Sequence, residues 1–428
     1  MNRNIEMTGT NVAKVSAEKP WMILLLLTVG WTISFIDRTS LSSALADSGF
    51  IHEFSLTSIQ RGWLGSAVFW SYAVLQLPMG WVVDRYGVKW PYAICFALWC
   101  LASAATGMTH SLSSLFVVRL LIGASEAIVL PASYRYIANH FDDSHKGTAT
   151  GIFALGGKVG PAIGAAIAAW LIVAYSWKDM FVLTGLVGML WLVPWLLMVK
   201  NDFPSKAQLV AATRRARSVP LRNLLVSPVV WGGFIMTFCY TYFVFYCATW
   251  MPSYLVEQRG LSLMRSGLLT FVSFISVAIV AVASGWAADR IIARGWDALV
   301  VRKAFVVAGA IGGMTVLLGA YVHSQQAALF WNVASLSLAG LATANNLALA
   351  KLTLIPKQAI GLNTGILTIA TSLAGGVSAS LCGWLLHVGK SYTLPMTSVC
   401  VFLGIGAISA VALMRREWAP KVNDEAMA

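Results

Sequence analysis

The sequence predicts an all-α integral membrane protein with twelve transmembrane helices, arranged as two pseudo-symmetric halves of six helices each. Three observations support this fold class: the composition, the number of long apolar runs and a phrase repeated in both halves. Of the 428 residues, 58% are hydrophobic and only 11% are charged, and the mean hydropathy is +0.73. These values lie outside the range of soluble globular proteins.

The apolar runs are long enough to cross a bilayer as helices, which takes about 18 residues or more. They lack the strict alternation of apolar and polar residues that marks barrel strands. Twelve runs are present, centred near Val29, Tyr72, Leu98, Glu126, Ala162, Leu190, Tyr242, Ser276, Ala310, Ala339, Ile369 and Gly404.

The positive charge is distributed unevenly between the two sides of the predicted membrane. Of the 30 Lys and Arg residues, 21 lie in segments on the side of the amino terminus, five in the opposite loops and four within spans. This bias predicts that both termini are cytoplasmic, and we expect a bacterial inner membrane. The net charge of +13 therefore reflects topology, and no basic and aromatic pattern indicates a nucleic-acid partner. No cleaved signal peptide is predicted.

A polar loop near the middle of the chain divides it into two halves. The predicted organisation is a cytoplasmic tail (1–19), a six-helix bundle (20–200), a cytoplasmic loop (201–228), a second six-helix bundle (229–415) and a cytoplasmic tail (416–428). The phrase GWVVDR at 80–85 recurs as GWAADR at 285–290, 205 residues later. Its equivalent position in both halves indicates a duplicated unit, as in many transporter folds.

The charged ends of these two phrases are candidates for gating, as tethers that open and close when the halves rock against each other. We expect the Asp84 carboxylate to meet the amino-terminal end of a neighbouring helix or a cation there, while Arg85 and Lys89 face lipid headgroups. In the second half, Asp289 and Arg290 are the counterparts. The alternative is a plain positive turn at the membrane surface.

Six ionisable side chains fall inside the predicted spans, where each charge is expensive. They are the cations Arg38, Arg119, Arg135 and Lys158 and the carboxylates Asp37 and Glu126. Seven helical residues separate Arg119 from Glu126, which places both on one face about 10 Å apart along the axis. Beyond Pro131 and close to the cytoplasmic end, Arg135 is interpreted as an interfacial or gating residue.

The adjacent residues Asp37 and Arg38 point about 100° apart on a helix, so they need partners elsewhere. The alternative is that they mark only the outer end of the first span. Lys158 is expected near the midplane, where transport sites lie. Its GGK context is not a phosphate-binding loop, because Ile152 and Val159 occupy positions that need Gly and Ser or Thr.

The excess of buried cations favours an anionic ligand. A carboxylate that is ionised in the empty site and neutral in the loaded site would link proton movement to anion movement. Lys158 is interpreted as a second cation for a dianion, and the alternative is that it neutralises Asp37 or Glu126.

Two sets of motifs resemble known families. GWVVDRYGVK resembles the loop signature of the major facilitator superfamily, and GWAADR resembles its weaker echo in the second half. The DR of the first span, Tyr72 and the RLLIGASEA of the fourth span resemble the anion:cation symporter family, above all its galactonate-type organic-acid symporters. The resemblance implies substrate-carboxylate binding by Arg38 and Tyr72, proton transfer by Asp37 and Glu126, and tuning of Glu126 by Arg119.

In the second half the resemblance is looser. It implies polar substrate contacts from Asn345, Asn346, Thr371 and Ser372, whose alternative is helix packing through hydrogen bonds. The sequence also departs from the galactonate-type pattern, because Gly157 and Lys158 stand where that pattern offers a neutral glutamine. This departure favours a smaller and more highly charged anion than a sugar acid.

We therefore expect import of a small organic anion (a carboxylate, dicarboxylate or sulfonated acid) with protons, by a protein that functions as a monomer in the lipid bilayer. One alternative is a proton-driven efflux antiporter, because GGKVGPAIGA resembles the GxxxGPxxGG element of such proteins except at Ala165. Another is a membrane receptor that binds a metabolite without moving it. The sequence contains no nucleophile arrangement, metal-ligand set or cofactor loop, so neither an enzyme nor a cofactor is predicted.

Aromatic residues in the spans are candidates for lining a pocket for an aromatic acid. Ordinary packing and interfacial positions are the alternative for these rings. They are Phe35, Trp70, Tyr72, Tyr240, Tyr242 and Tyr246.

Overall fold

The computed structural model describes residues 20–202, 221–356 and 359–420, and regular secondary structure in these ranges is helical throughout. The predicted tail 1–19, most of the predicted central loop (203–220) and the end of the second tail (421–428) lie outside the described residues. The long helices are α1 Pro20–Ala44, α2 Ser58–Tyr86, α3 Lys89–Thr106, α4 Leu112–His140, α5 Ser144–Ala174, α6 Trp177–Met198, α7 Pro228–Thr249, α8 Leu263–Ala293, α9 Ala298–Tyr321, α10 Gln325–Lys351, α11 Ile360–Gly389 and α12 Thr393–Ala412.

All of these helices except α3 are long and apolar enough to cross a membrane. Helix α3 has 18 residues and begins with the polar and aromatic run Lys89 to Tyr92, which lowers its hydropathy. It nevertheless occupies a span position, packed against α4 and α6. Its first turn is capped by Asp202, whose carboxylate accepts the Val88 backbone N–H at 2.7 Å.

The two halves repeat one packing scheme. In the first half α1 packs on α5, α2 on α4, and α3 on both α4 and α6. In the second half α7 packs on α11, α8 on α10, and α9 on both α10 and α12. Each contact recurs six helices later, so the predicted fold class of two pseudo-symmetric six-helix halves is confirmed.

Helices α1 and α5 approach closely because glycines line the α5 face. A Cβ atom at Gly160 would lie 2.5 Å from Phe35 Cβ, and one at Gly164 would lie 2.2 Å from Thr39 Oγ1. Small residues at such positions allow membrane helices to pack backbone to backbone. The glycines of GGKVGPAIGA therefore fix α5 against α1.

The halves meet through α2 with α11 and through α5 with α8. We call the end where α1 begins and α12 ends the terminal end, and the opposite end the distal end. At the distal end a Cβ at Gly62 would lie 2.8 Å from the Ala379 oxygen, and one at Gly383 would lie 2.6 Å from the Ser58 oxygen. At the terminal end, no atom of the described residues lies within 4 Å of such a Cβ at Gly80 of α2 or Gly361 of α11.

The second interface has the same wedge shape. A Cβ at Gly267 of α8 would lie 2.7 Å from the Ala165 oxygen of α5, near the distal end. Toward the terminal end of α5, Gly147 and Gly151 have open space around them. The halves are therefore closed against each other distally, and the space between them opens at the terminal end.

An ion pair joins the halves at the distal end. Arg61 of α2 contacts Glu257, in the π-helical segment after α7, with Nη2 and Oε1 2.6 Å apart. Tyr392, which precedes α12, donates its hydroxyl to the other Glu257 oxygen at 2.8 Å, and the Arg61 guanidinium lies 5.4 Å from the Trp250 ring centroid. We call these four residues the Arg61 cluster. Within the described ranges, it contains the only ion pair between the halves.

Removing the charge of Glu257 should loosen the distal closure. In Glu257→Gln, we expect the population separated at the distal end to rise about fivefold, because a partly exposed ion pair is worth roughly 1 kcal/mol. Spin labels at exposed His110 and Val388, in a variant without the native cysteines, would report that distance by pulsed electron resonance.

Glu53→Gln is the matched control, because the Glu53 ion pair with Lys178 (2.7 Å) lies at the same end but within one half. An unchanged distance distribution in Glu257→Gln, or an equal change in both variants, would show that the Arg61 cluster does not hold the halves together.

Candidate functional site

The central feature of the site is an ion pair between Arg38 of α1 and Glu126 of α4. The Arg38 guanidinium donates to Glu126 Oε2 from Nε at 2.9 Å and from Nη2 at 2.6 Å. Arg38 is 12% exposed and Glu126 is fully buried. As predicted, Arg38 finds its partner on another helix and not in its neighbour Asp37.

The α4 helix is interrupted beside this pair. Its first part ends at Glu126 and its second part begins at Val129, two residues before Pro131. The second carboxylate oxygen, Oε1, faces Ser34 of α1 without a hydrogen bond of normal geometry. One oxygen of Glu126 is thus held by Arg38, and the other has no hydrogen-bond partner within the described residues.

Asp37 lies on the other side of α1. It is 2% exposed, and its Oδ1 accepts a hydrogen bond from the Ser103 hydroxyl of α3 at 2.8 Å. Among the residues that the structure describes, its Oδ2 has no hydrogen-bond partner. The alternative that Asp37 and Arg38 mark only the end of the span is wrong, because both side chains are enclosed by neighbouring helices.

Arg119 is buried about two turns away from Glu126 along α4, as the spacing predicts. It is 1% exposed, and its guanidinium lies 5.0 Å from the Phe181 ring centroid. No carboxylate of the described residues lies within 4 Å of it, and its Nε and Nη2 have no hydrogen-bond partner. Arg38 and Arg119 line one pocket between the halves, with Phe69, Phe245 and Thr249.

Four aromatic rings surround the Arg38 guanidinium. The ring centroids of Trp31, Phe35, Phe69 and Tyr72 lie between 5.0 and 5.8 Å from its central carbon, within the range of cation–π attraction. The buried Tyr72 hydroxyl lies near Gln76 but makes no hydrogen bond of normal geometry. Tyr72 is thus beside Arg38, where the predicted carboxylate contact needs it.

Lys158 of α5 faces the space between the halves. Its ammonium lies 5.9 Å from the Tyr240 ring of α7, in the other half. Within the described part of the chain, no carboxylate lies within 4 Å of it, so Lys158 does not neutralise Asp37 or Glu126 in this conformation. Since Gly157 abuts Trp31 and Phe35, Lys158 is about five residues, or roughly 7 Å, nearer the open end than Arg38.

The polar residues predicted in the second half have mixed placements. Asn345 accepts a hydrogen bond from Arg302 at 3.1 Å, away from Arg38, and Asn346 lies in a pocket with Tyr240 and Met236. Thr371 and Ser372 donate their hydroxyls to carbonyls of their own helix. Their roles as substrate ligands stay predictions.

The predicted gating residues form two clusters at the terminal end. Asp84 pairs with Arg135 at 3.0 Å, which brings together two residues assigned to gating. Asp289 pairs with Arg302 at 2.7 Å. Each pair lies within its own half, so neither is a tether between the halves.

The other charged gating candidates lie against aromatic rings. Arg85 contacts Trp81 and Tyr86, Lys89 contacts Trp90, and Arg290 contacts Trp286.

Three contributors are not singled out by the sequence. No motif marks Arg302 or Asp202. Arg61, one of the five cations predicted in the opposite loops, lies instead in the first turn of α2 and is 5% exposed. The Thr57 capping box, which starts the helix four residues earlier, is a signal for this placement.

Two six-helix halves around a space open at one end, with paired and unpaired charges at mid-depth, are the architecture of a secondary membrane transporter. The comparisons agree. The model of the Major Facilitator Superfamily matches residues 27–379, and the chain therefore belongs to that superfamily. It is a membrane transporter and not an enzyme.

Curated relatives are similar over nearly the whole chain. One is a D-galactonate transporter of Escherichia coli O6:H1, 26% identical over 94% of this chain and 97% of its own. Another is a probable galactarate/D-glucarate transporter of Bacillus subtilis, 26% identical over 91% of this chain and 90% of its own.

Among solved structures, a bacterial homologue of the human lysosomal transporter Spinster, in an inward-facing and occupied conformation, has the same fold. The TM-score is 0.75 at 17% identity, over 92% of this chain and 97% of that one.

Proposed function

We propose that this transporter imports a small organic anion together with protons by alternating access, across a bacterial inner membrane and as a monomer. The observation that carries the proposal is the buried Arg38–Glu126 ion pair beside Asp37 and Arg119. Relatives named as transporters of galactonate and of galactarate or glucarate support an organic acid as the transported class.

The ion pair gives a physical route to coupling. In the empty site Arg38 is neutralised by Glu126, so a substrate carboxylate has to compete with that carboxylate for the guanidinium. When a proton neutralises Glu126, Arg38 becomes a buried cation without a counter-ion, and binding of an anion offsets that cost. The proton and the anion therefore raise each other's affinity.

The distribution of positive charge assigns the terminal end to the cytoplasm. On that assignment the conformation is inward-open, because the halves touch distally and separate at the terminal end. The Arg61 cluster then belongs to the outer gate, while the Asp84 and Asp289 clusters brace the inner ends of their own halves. Loading from outside requires the Arg61 cluster to open.

The antiporter is a second candidate, favoured by GGKVGPAIGA. The three glycines Gly156, Gly160 and Gly164 pack against α1, and such packing sets no direction of transport. Proton-driven exit of anions from preloaded liposomes would favour this candidate over import.

Glu126→Gln should separate anion movement from proton movement. The amide resembles a protonated carboxyl, so Arg38 stays free to bind an anion while the proton site is lost. In proteoliposomes we expect proton-driven uptake to fall at least about tenfold, while exchange of internal for external anion persists and loses its pH dependence.

Glu53→Gln is the control for this experiment, because Glu53 is a carboxylate with an ion pair outside the site. Retention of proton-driven uptake in Glu126→Gln would contradict the assignment of Glu126 as the coupling residue.

We further propose that Lys158 binds a second negative group of a dianionic substrate whose first carboxylate is held by Arg38. Its lack of an ion pair in the described structure and its position nearer the open end support this role.

Lys158→Met keeps the apolar stem of the side chain and removes the charge. We expect the affinity for a dicarboxylate to fall about tenfold or more while the affinity for the matched monocarboxylate changes little, since only the dianion loses a charge partner. Competition against labelled anion in proteoliposomes would measure both. A variant that still prefers dianions with unchanged affinity would refute the role of Lys158.

A further inference from the structure

One face of α1 carries an aromatic stripe that leads from the open end to the anion-binding cation. Trp31, Phe35 and Arg38 are four and three residues apart, so they lie above one another on the helix. The Arg38 guanidinium lies 5.8 Å from the Trp31 ring and 5.0 Å from the Phe35 ring. Both rings lie nearer the terminal end than Arg38, because α1 begins at that end.

The Trp31 indole is held in place from three sides. It meets Phe35 edge to face at 4.8 Å and stacks on Phe153 of α5 at 5.9 Å. On the third side a Cβ at Gly157 would lie 3.0 Å from its Nε1. The indole ring therefore occupies the space that any side chain larger than glycine at position 157 would need. Because these contacts fix its orientation, the ring forms a rigid flat surface.

Further rings complete the surroundings of the two cations. Phe69 and Tyr72 of α2 flank Arg38 at 5.4 and 5.3 Å, and Tyr240 lies beside Lys158 at 5.9 Å. Tyr242 and Tyr246, in contrast, are fully buried within the second half, where they serve packing. Aromatic rings thus lie beside both Arg38 and Lys158.

Six threonine and serine hydroxyls of α1 and α11 donate to their own helices and can only accept from a ligand, whereas the Ser34 and Tyr72 hydroxyls have no hydrogen-bond partner within the described residues. In α1, Thr28, Thr32 and Thr39 each donate to a carbonyl one turn back. In α11, Thr368, Thr371 and Ser372 do the same. A polyhydroxylated chain needs a partner for every hydroxyl that it buries, whereas the faces of an aromatic ring need none.

We propose that the substrate has a flat aromatic body, held against Trp31 and Phe35, with one carboxylate on Arg38 and a second acidic group on Lys158. An aromatic dicarboxylate meets these requirements. This inference rests on the proposed function and makes Trp31 a specificity-determining residue. The proposed substrate differs from the sugar acids after which the relatives are named.

Matched ligands test the proposal directly. Uptake of radiolabelled phthalate into proteoliposomes under an inward proton gradient is measured against unlabelled competitors. Cis-cyclohexane-1,2-dicarboxylate keeps both carboxylates but not the flat ring, and galactarate keeps the two carboxylates on a polyhydroxylated chain. We expect phthalate to be taken up, and unlabelled phthalate to compete at least about tenfold better than either of the other acids.

A variant isolates the contribution of the indole. Trp31→Leu is expected to weaken phthalate affinity about two- to tenfold, the range of a lost aromatic contact, and to leave the cyclohexane acid nearly unchanged. Trp170→Leu is the control, because Trp170 lies in the same half and is itself 50% exposed at the surface. Equal losses for the flat and the saturated acid in Trp31→Leu would assign Trp31 a structural role and overturn the proposal.

The ligand panel also separates failure of the aromatic inference from failure of the proposed function. Proton-driven uptake of labelled galactonate or galactarate, with no competition from phthalate, would overturn the aromatic inference and leave the proposed function intact. If the wild type moves none of these anions, the aromatic inference fails, and the proposed function fails as well when aliphatic dicarboxylates and sulfonated acids also show no proton-driven uptake.

Discussion

The structure depends on one constraint: two arginines and two carboxylates are enclosed among helices that lie in hydrocarbon. Isolated charges there are costly, and a buried pair remains stable only when both members are present. Arg38 and Glu126 satisfy each other across α1 and α4, and Asp37 relies on Ser103. Arg119 has only partial compensation. The first half thus holds four buried charges that are only partly paired. In the proposed mechanism, protonation of Glu126 or binding of an anion to Arg38 changes how they pair.

Glycines determine where the helices pack closely. Gly160 and Gly164 lock α5 against α1 within the first half, so Lys158 and Arg38 keep a fixed offset. Gly62 and Gly383 allow α2 and α11 to touch at the distal end, and Gly375 and Gly376 of α11 lie against Phe69 and Trp70 of α2 further along. Beyond these contacts the halves separate toward the terminal end. In the proposed alternating-access mechanism the halves rock against each other, and the Arg61 cluster is the contact that has to break.

Much of the fold was readable from the sequence, because span length and the repeated GW-DR phrase depend on local composition. The helical geometry also predicted that Arg38 could not pair with Asp37. The identity of its partner was not readable, since Glu126 lies 88 positions away and only packing brings them together. The same holds for Arg61 with Glu257 and for Asp289 with Arg302. Asn345 shows the opposite case. It lies in the span where a substrate contact was predicted, but its side chain accepts a hydrogen bond from Arg302.

The central claim is that a proton and an anion together replace the Arg38–Glu126 ion pair: the proton binds Glu126 and the anion binds Arg38. The most direct measurement is the number of protons taken up per anion bound, obtained by titration calorimetry of purified protein in buffers of different ionisation enthalpy. The account predicts net proton uptake, with an anion affinity that rises as the pH falls, and it predicts that Glu126→Gln abolishes both effects. Anion binding without proton uptake, at an affinity independent of pH, would contradict it.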